Sequence, residues 1–138
     1  MGKLENKLKH LELVQGVVNR MSNNSFLLKG WAVTLVAGIF SLASKDADKL
    51  YFLVAYVPVI VFWGLDTYYL HQERLYRSLY DKVCHTDEDK IDFSLKATSQ
   101  EFNSEKNCYY SCFFSKTELG FYLPLAIVCT GVIIITHM

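Results

Sequence analysis

The chain has 138 residues, of which 51% are hydrophobic, and its 14 Lys and Arg residues balance its 14 Asp and Glu residues. A formal net charge of zero and the absence of a basic stripe argue against nucleic acid as a partner, because such binding needs a concentrated positive surface. Three long apolar stretches in so short a chain leave little sequence for a separate globular domain, so we expect one membrane unit over residues 1–138.

The first predicted element is an amphipathic helix over residues 3–22. Its apolar residues recur every third or fourth position and form one stripe: Leu4, Leu8, Leu11, Val14, Val18 and Met21. The surrounding charges are of both signs, which favours packing on another helix over a position in the membrane interface. The polar residues Asn23, Asn24 and Ser25 then predict a break or bend before the next element.

Two apolar runs, 26–44 and 50–70, predict the first two transmembrane helices. At roughly 1.5 Å per residue they extend about 28 and 32 Å, close to the hydrocarbon thickness of about 30 Å. The short charged linker at 45–49 requires the two helices to form an antiparallel hairpin. Basic residues gather on the side away from this linker, so the positive-inside rule places the N-terminus in the cytoplasm, with the chain in a cell inner membrane. These basic residues are Lys3, Lys7, Lys9, Arg20, Lys29, Arg74, Arg77 and Lys82.

One charged residue lies within each of the two runs, at Lys29 and Asp66. If Ala47 is the midpoint of the hairpin, the two side chains lie at similar depth. Charged residues inside a bilayer tend to pair, so we predict an interhelical ion pair between them. The alternative is that Lys29 extends to the lipid headgroups and Asp66 already lies among them.

Small residues recur every fourth position in two adjacent rows of the first span. They are Gly30, Thr34 and Gly38 in one row and Ala37 and Ser41 in the other. Such rows allow close helix contact in lipid, either with another span of the same chain or with a second copy. Three spans cannot readily enclose a water path, so a pore would need several copies. Its candidate pore-facing residues are Thr34, Ser41 and Ser44.

The second span is predicted to continue beyond the membrane. Residues 71–83 contain no Gly or Pro, and Leu75, Leu79 and Val83 recur at intervals of four. An unbroken helix from residue 50 to about 83 would project into the cytosol and offer a partner for the N-terminal helix.

Residues 84–118 form a polar segment predicted to be cytosolic. The alternation of Ile91, Phe93 and Leu95 predicts a short strand or an anchoring turn, with a docking edge for a partner as a further alternative.

The cysteines of this segment allow two interpretations. Cys84, His85, Cys108 and Cys112 could supply four zinc ligands, although the short Cys spacing of zinc sites is absent. The favoured interpretation places Cys108 and Cys112 on the apolar face of a short helix before the third span, and we predict no cofactor.

A third apolar run, 119–136, contains no charge and predicts a third transmembrane helix, with a re-entrant or peripheral helix as the alternative. The fold class is therefore an all-α membrane protein with three transmembrane helices, the first two an antiparallel hairpin, with cytosolic helical extensions. The motifs HExxH, GxSxG and GxxxxGK[ST] are absent, so we do not expect an enzyme.

Two stretches carry a resemblance to small bacterial membrane proteins. They are NRMSNNSFLLKGWAVTLVAG and WGLDTYYLHQERLYRSLYDKV, joined by the short linker. Over residues 3–85 the arrangement resembles the SLATT class, whose two-span hairpins with cytosolic helices are thought to act as membrane effectors in anti-phage defence. The chain departs from that class in its third predicted span and in having no separate nucleotide-sensing domain.

The resemblance and the small-residue rows together imply a homo-oligomeric, pore-forming inner-membrane effector gated through its cytosolic helices. Its expected partners are the lipid bilayer, further copies of itself, and a cytosolic protein or small signalling ligand. The alternative is a non-conducting membrane anchor or scaffold that recruits a soluble partner.

Overall fold

The computed structural model describes residues 2–42, 49–103 and 107–137. Most of the predicted linker between the first two spans, and Ser44, lie outside these residues. The described chain forms five α-helices and no β-strand. The helices are α1 (Gly2–Leu42), α2 (Lys49–Leu53), α3 (Tyr56–Cys84), α4 (Tyr109–Phe113) and α5 (Lys116–His137), with one 3₁₀ turn at Glu88–Lys90.

Helix α1 runs without interruption through the position where a break was predicted. Asn23, Asn24 and Ser25 are all helical, so the predicted break is wrong. The helical cost of residues such as Asn and Ser is only about 0.7 kcal/mol or less each. Packing of α1 along α3 on both sides of this point outweighs that cost, and the Ser25 hydroxyl is engaged with α3.

The second predicted span is divided into α2 and α3 by a turn at Val54 and Ala55, which corrects the expected unbroken helix from residue 50. Pro58 occupies the third position of α3, and its missing N–H removes the bond that a continuous helix would make to the Val54 carbonyl. The turn is closed instead by hydrogen bonds from Ala55 N–H to Phe52 and from Val57 N–H to Val54, each 3.1 Å. From Tyr56 onward α3 continues to Cys84 without a break.

Two of the helices are long and apolar enough to cross a membrane, α1 and the Lys116–Thr136 part of α5, judged by length and composition among the described residues. Only 11% of the apolar window of each is buried inside the protein. A core helix of a soluble protein would be mostly buried, so both helices are compatible with a membrane location.

The apolar halves of α1 and α3 pack together with α2 and α5 around one core. Its buried members come from α1, α3, α5 and the turn between α2 and α3: Ala32, Val36, Ala55, Val59, Tyr122 and Cys129. The outward faces carry large apolar side chains, among them Phe26, Leu42 and Ile135, which are 75%, 81% and 77% exposed. This half of the molecule is therefore apolar both inside and outside.

A second core joins the polar halves of α1 and α3. Val14 from α1 packs against Leu79 and Val83 from α3, and the partly buried Tyr76 and Phe102 cover them. Only part of the predicted apolar stripe on α1 is buried, since Leu4 and Leu8 remain about half exposed. The start of α1 is instead attached by polar contacts from Lys7 to the Cys84 and Thr86 carbonyls, at 3.3 and 3.0 Å.

The segment after α3 is extended chain and turns that lie along this second core. The strand interpretation of residues 91–95 is wrong, because these residues make no ladder, and Phe93 adopts a φ of 54° that breaks a strand. Ile91 packs on the second core, and Phe93 packs edge-on against His10 with ring centroids 5.6 Å apart. The apolar residues anchor the segment to α1 and α3.

Candidate functional site

A cluster of polar side chains lies between α1, α3 and α5 at the point where the apolar half begins. Lys29 from α1 forms an ion pair with the Asp66 carboxylate from α3. Asp66 is fully buried, and the Lys29 side chain is 16% exposed. The structure thus brings together the two residues whose pairing was predicted, and Lys29 does not extend away from Asp66 toward the outside.

Two hydroxyl groups complete the surroundings of Asp66. The Ser25 hydroxyl donates to Oδ1, and the Tyr122 hydroxyl donates to Oδ2 at 3.0 Å. Lys29 Nζ also donates to Ser25 Oγ at 3.0 Å, one helical turn away on the same helix face. Each oxygen of the Asp66 carboxylate therefore has at least one donor, as a buried charge requires.

Glu118 is the third charged residue of the cluster and is also fully buried. It lies in the first turn of α5, where its backbone N–H donates to the Ser115 hydroxyl at 3.3 Å in the manner of a helix N-cap. Its Oε1 accepts from Lys29 Nζ at 3.5 Å, whereas Oε2 has no hydrogen-bond partner among the described residues. Two buried carboxyl groups thus share one ammonium group.

Aromatic rings cover the cluster on the side of α4 and α5. Trp63 stacks between Phe113 and Tyr122, with ring centroids 4.4 and 5.8 Å apart, and its Nε1 donates to the Phe113 carbonyl at 3.1 Å. Lys29 Nζ lies 6.0 Å from the Tyr122 ring centroid and 5.9 Å from that of Phe121. These rings limit water access and strengthen the charge interactions beneath them.

The charged side chains of the cluster connect three helices. Lys29 contacts carboxyl groups from α3 and α5 at once, and separating α1 from α3 would leave a charge in apolar surroundings without its partner. The polar groups of the cluster bind one another, through Ser25, Lys29 and Tyr122 on Asp66 and Lys29 on Glu118.

The small-residue face on α1 lies away from this cluster. Gly30, Thr34, Ala37, Gly38 and Ser41 are all exposed, and a Cβ built on either glycine would meet nothing within 4 Å. The interpretation that this face packs on another helix of the same chain is therefore wrong.

The opposite side of α1, with Ala32 and Val36, makes the intrachain contact instead. Of the candidate pore-facing residues, Thr34 donates its hydroxyl to the Gly30 carbonyl at 2.8 Å, and Ser41 is exposed.

The candidate zinc ligands do not come together. No three metal-ligating side chains form a group anywhere in the described ranges. Cys112 lies buried on α4, as the favoured interpretation of these cysteines expected, but that interpretation is wrong for Cys108, which precedes α4 and is exposed, as Cys84 is. Burial raises the pKa of the Cys112 thiol, which keeps it protonated and weakens it as a metal ligand.

Sequence reasoning missed Glu118, Ser25 and Tyr122 as members of the cluster. Glu118 was assigned to the end of the polar segment, one residue before the third apolar run. Two signals were available: Ser115 and Glu118 match the spacing of a helix start, and Tyr122 lies one turn after Glu118 on the same face.

No protein-family model matches this chain, and comparisons with curated proteins and with solved structures found no significant match.

Proposed function

We propose that this protein is a homo-oligomeric membrane effector that forms a pore and is gated through its polar helical ends. The observation that carries the proposal is the exposed row of Gly30, Thr34 and Gly38 on an apolar helix, where no other described helix packs against the two glycines. In lipid, helices associate through close backbone contact, and such a row is the surface that permits it.

The proposed topology has three membrane crossings with the N-terminus in the cytoplasm. The second crossing combines α2 with the apolar part of α3, because residues 56–70 alone extend only about 22 Å. A turn within a crossing needs its backbone groups satisfied and shielded from lipid. Ala55 at the turn is fully buried, and the turn has its own hydrogen bonds, which supports this arrangement.

The proposed gating path follows from the continuity of α1 and α3. Each helix contributes residues to the core of the apolar half and to the second core, which we call the polar-end core. A rotation applied at Val14 and Leu79 is therefore transmitted along both helices to Ala32 and Val59. A cytosolic protein or small signalling ligand bound to the polar end would supply that rotation. The SLATT resemblance suggests anti-phage defence in a bacterial inner membrane as the setting.

Substitution of Gly38 by Leu tests the oligomer. Gly38 has open space around its Cβ position, so G38L is tolerated within the chain but blocks close approach of a second copy. We expect the purified full chain in mild detergent to fall from oligomer to monomer by native mass spectrometry, and dye leakage from liposomes to fall at least tenfold.

Gly131→Leu is the matched control for G38L. Gly131 lies on α5, and its Cβ position is equally open, so G131L should leave both the oligomer and the leakage unchanged. A wild-type protein that is monomeric, or that releases no dye, contradicts the proposal.

The second candidate function is a non-conducting membrane scaffold. It is favoured by Thr34, whose hydroxyl is used within α1 and so offers little to a water path, and by the exposed acidic turn formed by Asp87, Glu88 and Asp89. A scaffold would keep its soluble partner at the membrane without any change in permeability. Leakage that G38L abolishes would exclude it.

A further inference from the structure

The buried cluster has more negative than positive charge. Glu118 faces Lys29 from α1, Asp66 from α3, Cys112 from α4 and Tyr122 on its own helix. Among the described residues, Lys29 is the cation that pairs with both carboxyl groups, and Arg74 interacts with Cys112. With both carboxyl groups ionised, the cluster would hold one net negative charge inside an apolar bundle, which is costly.

The hydrogen bonds show which carboxyl group can carry a proton. Asp66 accepts hydrogen bonds from Ser25, Lys29 and Tyr122, so both of its oxygens already have a donor. Glu118 has one long contact to Lys29 and a buried oxygen, Oε2, with no donor among the described residues. An ionised Glu118 would leave that oxygen unsatisfied, whereas a protonated Glu118 can donate to Asp66.

We propose that Glu118 and Asp66 form a proton-binding site, in which Glu118 takes up one proton when α5 docks against α1 and α3. The proton comes from water and adds to the Glu118 carboxylate to give the neutral acid, which leaves Lys29 paired with Asp66 alone. The Lys29 side chain at the edge of the site is 16% exposed.

Proton binding is coupled to the position of α5. Tyr122 bonds to Asp66 and stacks on Trp63, so the start of α5 is held by the same residues that surround the proton. Loss of the proton restores the buried negative charge and weakens this docking. The site does not depend on oligomer formation or on a pore, so it can hold or fail independently of the proposed function.

Infrared difference spectroscopy of the full-length protein in lipid nanodiscs detects the proton directly. We expect wild-type protein to show the C=O band of one protonated carboxyl group at neutral pH, which is lost as the pH rises. Fluorescence of Trp63 in a Trp31→Phe background should change over the same pH range as α5 loosens. Absence of a protonated carboxyl band in wild-type protein overturns the proposal without any variant at the site.

Glu118→Gln is isosteric with the protonated acid and should abolish both the band and the pH dependence of fluorescence. Glu12→Gln, at an exposed position on α1, should leave both unchanged. A band that persists in E118Q assigns the proton to Asp66 and overturns the proposal. A titration that shifts when choline is replaced by sodium at constant ionic strength also overturns it, because the site then binds a metal cation.

Discussion

Lys29 shows that lysine residues at different positions of one helix contribute differently to stability. Lys29 and Lys3 both lie on α1 and both form ion pairs, but the Lys29 pair is largely buried whereas Lys3 and Asp89 are 71% and 68% exposed. Exposed pairs are screened by water and pay side-chain entropy, while a buried pair that loses one member leaves an uncompensated charge. Of these two lysines, Lys29 is therefore the one whose loss should destabilise the protein.

Lys29→Met should destabilise the protein by about 3–5 kcal/mol, because it leaves two buried carboxyl groups without a cation. Unfolding in mixed micelles with increasing denaturing detergent measures the loss. Lys3→Met is the control, and its stability should match wild type. The double variant K29M/D66N should recover part of the loss, and equal stability of K29M and K3M would contradict the role of the cluster.

At the scale of elements, α1 and α3 are held together by two separate cores, one apolar and one at the polar end. Leu79 is 3% exposed in the polar-end core, whereas Leu13 on α1 is 58% exposed. Helix propensity does not distinguish these two leucines, since both lie inside helices. Their environments differ only because α1 and α3 pack with one face each.

Leu79→Ala should cost about 2–5 kcal/mol, the sum of lost apolar burial and the cavity left between α1 and α3. The same detergent unfolding measures it, and hydrogen exchange should increase in the polar halves of α1 and α3. Leu13→Ala should leave both measurements near wild type. If the two variants behave alike, the polar-end core does not hold these helices together.

At the scale of the whole molecule, the chain is polar at one end and apolar at the other, and its thiols report on both. Cys84 and Cys108 are exposed near the polar end, while Cys112 and Cys129 are buried. The raised pKa of Cys112, caused by burial, further slows its reaction because the thiolate is the reactive form. Thiol reactivity therefore tests burial and orientation together.

In single-cysteine variants, an impermeant maleimide should label Cys84 and Cys108 in inverted membrane vesicles but not in intact cells. Cys112 and Cys129 should react only after denaturation. Gel-shift labelling measures all four, and denatured samples control for total thiol. Labelling of Cys84 in intact cells would reverse the proposed orientation of the N-terminus.

Much of the fold was predicted correctly from local sequence, but the positions at which the helices are interrupted were not. The apolar runs and the spacing of Leu75, Leu79 and Val83 correctly indicate helices, since such patterns depend on neighbours three or four residues apart. The predicted break near Asn24 is absent, and the helix predicted to be continuous from residue 50 is interrupted by a turn at Ala55. At Asn24 tertiary contacts outweigh a local preference of about 1 kcal/mol or less, whereas at Ala55 the missing N–H of Pro58 interrupts the helix that the apolar run favours.

The sequence alone determined the helical class, the apolar stretches compatible with a membrane, and the presence of two charged residues at matching depth in the first two runs. Only the tertiary structure decided that Glu118 joins Lys29 and Asp66, and that the glycine row of α1 faces outward. This division arises from the distance along the chain over which the interactions act. Helix formation is set by nearby residues, whereas which faces meet depends on how α1, α3 and α5 bury their side chains together.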